Sequence, residues 1–253
     1  PFKNESKNIK YIFYNINFFT QQPEVSKIVL CDDGSTDFTF ELVEKFIKNL
    51  VFPKKIKISL LKNPQNIGKT KTINNLIYKF CKSPEDIIIT WDASAFKINR
   101  SIFLNFLTTI EKYDFDINII VTPENNFFFK LCCDLFKIHF SNGSCQQHKS
   151  TLLLTFSGQR IFKRKIWDQI PNDLSQGNSY DMEMALNALI KYNNLKYRII
   201  FTQISPQGKR KKSKKFGRVL NQYIPLIGLW FRIILFYAPM KRKVINWIII
   251  LSS

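Results

Sequence analysis

The chain has 253 residues and a mass of 29.9 kDa, enough for one large α/β domain with a sizeable core. A hydrophobic content of 45% with 24 phenylalanines excludes a disordered chain. The net charge of +19 is unevenly placed, because residues 202–253 hold 11 Lys/Arg and no acidic residue, which leaves +8 for everything before them.

Apolar spacing divides the chain into alternating helices and strands. Residues 5–20 carry Ile9, Ile12, Phe13, Ile16 and Phe19 at helical spacing, and 27–31 read as a short strand. Residues 38–50 place Phe40, Val43, Phe46, Ile47 and Leu50 on one helix face. A strand over 56–61, a helix over 68–82, a buried strand over 86–91, a helix over 99–112 and a strand over 117–121 follow. Such a βαβα order with short loops predicts a parallel sheet covered on both faces. Residues 122–150 are the least readable stretch and are expected near an acceptor side. Five cysteines (Cys31, Cys81, Cys132, Cys133, Cys145), odd in number and without C-x-x-C spacing, favour buried thiols in a reducing compartment. His139 and His148 have no ligand spacing around them and read as surface or packing residues.

The most informative stretch is Cys31-Asp-Asp-Gly-Ser-Thr-Asp37, directly behind the apolar run Lys27-Ile-Val-Leu30. It puts two carboxylates at the C-terminal end of a buried strand, where open α/β sheets bind nucleotides. No basic residue lies near Asp32 and Asp33 in sequence, and as acceptor-only groups they suit a base N–H or a ribose hydroxyl. The same letters also describe a turn with Ser35 and Asp37 capping the helix that follows.

Around this run stand Pro1-Phe-Lys-Asn4-Glu5, Asn66-Ile-Gly68-Lys69 with Asn74, a strand ending in Asp92, Ser157-Gly158-Gln159-Arg160, and Tyr180-Asp181-Met-Glu183. In this order and spacing, over roughly residues 1–200, the chain resembles the family 2 glycosyltransferases, inverting nucleotide-sugar enzymes with the GT-A fold. The resemblance implies a Rossmann-like nucleotide-binding sheet with helices on both faces. Residues 1–95 would form the nucleotide-binding half and 96–200 the acceptor half. It also implies a first strand ahead of Pro1, so an N-terminally trimmed chain is expected.

The resemblance assigns roles residue by residue. Asp32 and Asp33 would contact the base or ribose, with Pro1, Asn4 and Glu5 in the first loop beside the nucleotide; a helix cap is the alternative for Asn4. Gly68 would let the backbone approach the donor, and Lys69 would meet a phosphate as a point charge, unless it is simply a solvated lysine at a helix start. Asn74 fits the spacing but also fits simple packing. Asp92 would hold Mg²⁺ or Mn²⁺ on the diphosphate, yet the second carboxylate of the family's Asp-x-Asp is replaced by Ser94. Three consequences stand open: Asp92 suffices, Lys69 and other cations share the charge, or turnover is lost. Asp181, at a helix N-terminus, would be the general base, with Glu183 as its fallback and an N-cap as the alternative. Ser157, Gly158, Gln159, Arg160 and Arg164 would line the acceptor side, or form a strand-to-helix turn. The Gln-x-x-Arg-Trp run of polymer-extruding members has no match, so processive synthesis is not expected.

The C-terminal charge points to a membrane rather than to nucleic acid. Lys209–Arg218 is followed by Ile224–Tyr237, Lys241-Arg-Lys243 and Val244–Leu251, basic clusters alternating with aromatic and apolar runs. An anionic surface attracts such a pattern by about 1 kcal/mol per basic residue. Pro225 and Arg232 argue for an interfacial helix over a clean span, so residues 201–253 read as a membrane-associated segment at a cytoplasmic face. The expected partners are a nucleotide-sugar donor, a lipid or glycan acceptor and a membrane surface. A catalytically silent nucleotide-binding relative and a basic membrane-binding module are the rival readings.

Overall fold

The computed structural model describes residues 1–51, 53, 56–93, 98–121, 157–170, 181–193 and 195–201. Residues 122–150, the C-terminal segment 202–253, both histidines, Ser94 and Tyr180 lie outside them. Among the described residues no helix is long and apolar enough to cross a membrane.

Each helix follows the period read from the sequence. After a short 3₁₀ turn at Ser6–Asn8, α1 (Ile9–Thr20) turns Ile12 and Ile16 inward. The strand β1 (Lys27–Asp32) follows, and then α2 (Thr39–Asn49), which buries Val43. These helices share one core with Phe2, and Phe13 stacks on Phe46 with ring centroids 4.1 Å apart. Phe40, predicted on the inner face, lies instead under the Lys62 ammonium at 4.6 Å. The strand β2 (Lys57–Lys62) and the helix α3 (Lys69–Phe80) complete the first half.

The second half contains β3 (Ile87–Thr90), α4 (Arg100–Lys112), β4 (Ile117–Val121), β5 (Arg160–Lys163), the single turn α5 (Arg164–Trp167), α6 (Asp181–Tyr192) and β6 (Tyr197–Phe201). Its sheet has the order β3-β5-β4-β6. Alternate residues face opposite cores, as a period of two requires. Ile117, Ile119 and Phe162 meet α3 and α6, whereas Ile120 and Ile161 meet Phe103, Phe106 and Ile110 of α4.

The strand pairing corrects the expected continuous parallel sheet. β1 and β2 are parallel, with Lys27 opposite Lys57 and Asp32 opposite Lys62, but they form a sheet of their own. In the second sheet β5 runs antiparallel to both β3 and β4, while β4 and β6 are parallel. A short crossover helix forces parallel pairing, but the long connection before β5 leaves its direction free. Between β1 and β3 lies a cavity of about 610 Å³ lined by Leu30, Ile73, Ile77, Ile89 and Trp91, and its polar end carries Lys69 and Asp92.

The Asp32–Asp37 loop sits at the C-terminal end of β1, against the next loop. Gly34 has φ +70°, and a Cβ there would lie 2.6 Å from Asn66 N. Gly34→Ala therefore meets both a left-handed backbone and an immovable neighbour. We expect a loss of at least about 2 kcal/mol, read as a shift in the urea midpoint.

Candidate active site

The first loop and the Asp32–Asp37 loop are stitched together. Asn4 N donates to Ser35 Oγ at 2.9 Å, and Thr36 N donates to Asn4 Oδ1 at 2.9 Å. Glu5 N donates to Thr39 Oγ1, and Ser6 N to Asp37 Oδ2. Asn4 is thus a clamp between loops rather than a helix cap, at a φ of 52°. Phe2 bridges Asp32 in parallel, so Pro1 reaches the cavity beside β1. Asp32 is buried and accepts from Ser35 N at 3.1 Å and from the Ser35 hydroxyl. Neither predicted cap occupies the N-cap of α2, which is Phe38; Asp37, one residue earlier, accepts from Thr39 N at 3.1 Å.

Asp33 is not a free acceptor at the strand end. It is buried, and its Oδ1 accepts from Asn63 Nδ2 at 2.9 Å, Ile67 N at 3.0 Å and Thr72 Oγ1 at 3.1 Å. Its Oδ2 accepts from Gly68 N at 3.0 Å. The carboxylate thereby satisfies the N–H groups of the two residues that lead into α3, the second of them its N-cap, where the helix dipole also favours an anion. The loop around Gly68 is pinned to β1, and Lys69 is aimed from the first position of α3.

Lys69 connects three distant parts of the chain. Its Nζ lies 2.7 Å from Asp92 Oδ1, just past β3, and 2.7 Å from Glu183 Oε1 in the first turn of α6. The Glu183 side chain is 1% exposed, Lys69 25% and Asp92 43%. Burial opposes the charge on Lys69, but the Asp92 and Glu183 carboxylates outweigh it and hold the ammonium well above its ordinary value. Burial likewise pushes the Asp92 carboxyl up, and Lys69 overrides it, so Asp92 is held below the usual carboxylate range. Gln159 Nε2 donates to Asp92 Oδ2 at 3.2 Å. Gly158 leaves the space this needs: a Cβ there would lie 2.5 Å from Asp92 Oδ1.

Several residues assigned to the acceptor side form the back wall instead. Arg160 is fully buried, donating through Nε to the Ser157 carbonyl and through Nη1 to Asn187 Oδ1, both at 2.8 Å. Burial pushes its guanidinium down to about 10, with Glu183 and Asp92 opposing. Glu183 stands behind Lys69, and the Ser157 hydroxyl lies on the Ile120 carbonyl. Arg164 grips Asp168 at 2.7 Å and the Cys81 carbonyl at 2.8 Å, so it braces the fold. Asn74 accepts from Trp167 Nε1 at 2.9 Å, which is the packing alternative. Asp181 begins α6, and the next residue, Met182, donates its N–H to Thr70 Oγ1 at 3.1 Å. The N-terminal end of α6 is therefore tied to α3 one residue from Lys69; the Asp181 side chain lies outside the described residues. The Lys69–Glu183 link had no local signal beyond both residues opening helices.

Residues 1–123, which contain the Asn4, Asp33 and Lys69–Asp92 geometry, match the family model described as glycosyl transferase family 2. These residues belong to that family. No curated protein matches the chain significantly. Among solved structures, the chain is similar to Staphylococcus aureus TarS at 17% identity and TM-score 0.54, covering 81% of this chain and 35% of that one. It is similar to the Pyrobaculum calidifontis mannosyltransferase PcManGT, solved with GDP-Man and Mn²⁺, at 16% identity and TM-score 0.56, covering 83% and 56%. It is also similar to Mycobacterium tuberculosis glucosyl-3-phosphoglycerate synthase, solved with phosphoglyceric acid, at 13% identity and TM-score 0.59, covering 88% and 75%. These likenesses establish a GT-A-like α/β fold. The chain spans about a third of TarS and just over half of the mannosyltransferase.

As folded, the described residues do not offer a divalent ion a ligand set. Asp92 Oδ1 and Glu183 Oε1 are both on Lys69, and Asp92 Oδ2 is on Gln159. The remaining oxygen, Glu183 Oε2, is buried and has no hydrogen-bond partner among the described residues. Hard cations need several accessible oxygens, and here an ammonium already fills the gap between the carboxylates.

Proposed function

We propose that the chain is an inverting glycosyltransferase that moves a sugar from a nucleotide-diphosphate sugar to a hydroxyl of a lipid or glycan acceptor. The observation that carries this reading is the meeting of Lys69, Asp92 and Glu183 at the C-terminal ends of the strands in a family 2 chain. Transfer requires a grip on the nucleoside, charge to meet the leaving diphosphate, and a base for the acceptor hydroxyl. The stitched loops at Asn4, Asp32 and Asp33 shape the nucleoside side. Asp33, itself buried, acts there by holding the Gly68 loop in place. Lys69 meets the diphosphate, and Asp181, at the start of α6, takes the acceptor proton as the sugar is attacked from the opposite face. The basic and aromatic segment 202–253 supports a site at the cytoplasmic face of a membrane.

The test is release of nucleoside diphosphate from a panel of UDP- and GDP-sugars, with Asp181→Asn beside the wild type. Loss of a general base is expected to lower transfer on the order of 10²- to 10⁴-fold. Nucleotide affinity should stay unchanged. No release from any donor, by folded protein, would make the chain a silent relative.

A further inference from the structure

We propose that Lys69 is the resident cation of the donor site, and that nucleoside diphosphate binds there without a divalent metal. This rests on the nucleotide-sugar reading above. The ammonium lies between the Asp92 and Glu183 carboxylates, 2.7 Å from each. It has three N–H donors, of which two are committed to Asp92 and Glu183. Among the described residues it has no third partner, and at 25% exposure it faces the polar end of the cavity beside Pro1 and Gly158. One N–H is thus left to give to a phosphate oxygen.

Charge and geometry both disfavour an added metal. Asp92 and Glu183 are balanced by Lys69 and by the buried guanidinium of Arg160, so the cluster holds no spare negative charge to attract a divalent ion. To reach both inner oxygens, an ion would have to expel Lys69 into solvent. It would then share its space with Gln159, which already holds Asp92 Oδ2 from behind. Position 94 adds only a neutral hydroxyl where a second carboxylate would have raised the affinity. The helix N-terminus bearing Lys69 is fixed by Asp33 through Ile67 N and Gly68 N, so the ammonium is preorganised before any ligand arrives.

Two measurements on the full chain decide this. The first is calorimetric binding of UDP and GDP, in EDTA and then with Mn²⁺. The second is titration of Mn²⁺ alone, followed by the loss of its free-ion electron paramagnetic resonance signal. Wild type is expected to bind nucleotide with affinities in the two media that agree within roughly two-fold, and to leave the Mn²⁺ signal undiminished. Lys69→Ala, checked for folding by circular dichroism, should bind Mn²⁺ at the vacated carboxylates and lose nucleotide affinity in EDTA by at least about tenfold. A wild type that takes up Mn²⁺, or that needs it for nucleotide, overturns the proposal; so does a variant that binds nucleotide normally in EDTA. If the folded wild type binds neither nucleotide in either medium, the donor reading itself fails. The Mn²⁺ titration of the two proteins then still decides whether Lys69 holds the cation position.

Discussion

Asp33→Ala is expected to destabilise the domain by about 4 kcal/mol, lowering the urea midpoint by about 2 M. The reason is the number and kind of groups it strands. Asn63, Ile67 N, Gly68 N and Thr72 all donate to this one carboxylate, and Asp33 is 4% exposed. Asn63 Nδ2 keeps Thr72 Oγ1 and Gly68 N keeps Asn66 Oδ1, but Ile67 N and the Thr72 hydroxyl lose their acceptor where water has little access, and each buried orphan costs about 1–3 kcal/mol, non-additively. A graded series separates this from mere loss of packing. Thr72→Val removes one donor and should cost about 1 kcal/mol. Asp33→Asn keeps the volume but turns one acceptor into a donor that faces an N–H, and should fall in between. If Asp33→Ala costs no more than Thr72→Val, the carboxylate is not what pins the loop. The nucleotide affinity of Asp33→Asn then tells how much of that pinning the donor site requires.

The same residue shows where a sequence can be read and where it falls silent. The Asp-Asp-Gly-Ser run located the end of β1, and periodicity located the seven elements from β1 to β4 within a residue or two, because a helix face and a strand face are local properties. β4, predicted over 117–121, forms over Ile117–Val121. What Asp33 bonds to was not local: its partners arrive 30 to 39 residues later, and two of them are backbone N–H groups that carry no sequence signature. The direction of β5 was hidden for a related reason, since a long connection allows either pairing. Glu183 meets Lys69 across 114 residues, and sequence order alone placed it beside Asp181 as a second carboxylate for the acceptor. Arg160 read as an acceptor-side residue or part of a strand-to-helix turn, and since arginine is seldom fully buried its burial was not legible; it depends on Asn187 and the Ser157 carbonyl being in place. The metal motif was legible as damaged at Ser94, but not that an ammonium stands between the carboxylates.

Lys69→Met should cost about 3–5 kcal/mol, and adding Glu183→Gln should recover most of it. A buried ion pair is weak evidence for stability, because desolvation of both charges cancels much of their attraction, whereas breaking it leaves one charge uncompensated. Glu183, at 1% exposure, is the charge that would be stranded; Asp92, at 43%, can turn to water and contributes little to the penalty. The double variant replaces the Lys69–Glu183 pair by neutral groups of similar size, so its urea midpoint is expected close to the wild type. Coupling in the double-mutant cycle should then reach about 2–3 kcal/mol. Nucleotide binding should follow a different course, staying lost in the double variant as in Lys69→Met, because neither restores a cation. A pair that served only the fold would regain both together. Recovery of stability without recovery of binding would mean that the ammonium is retained at a site the fold could fill with neutral groups, for the sake of the anion it meets there.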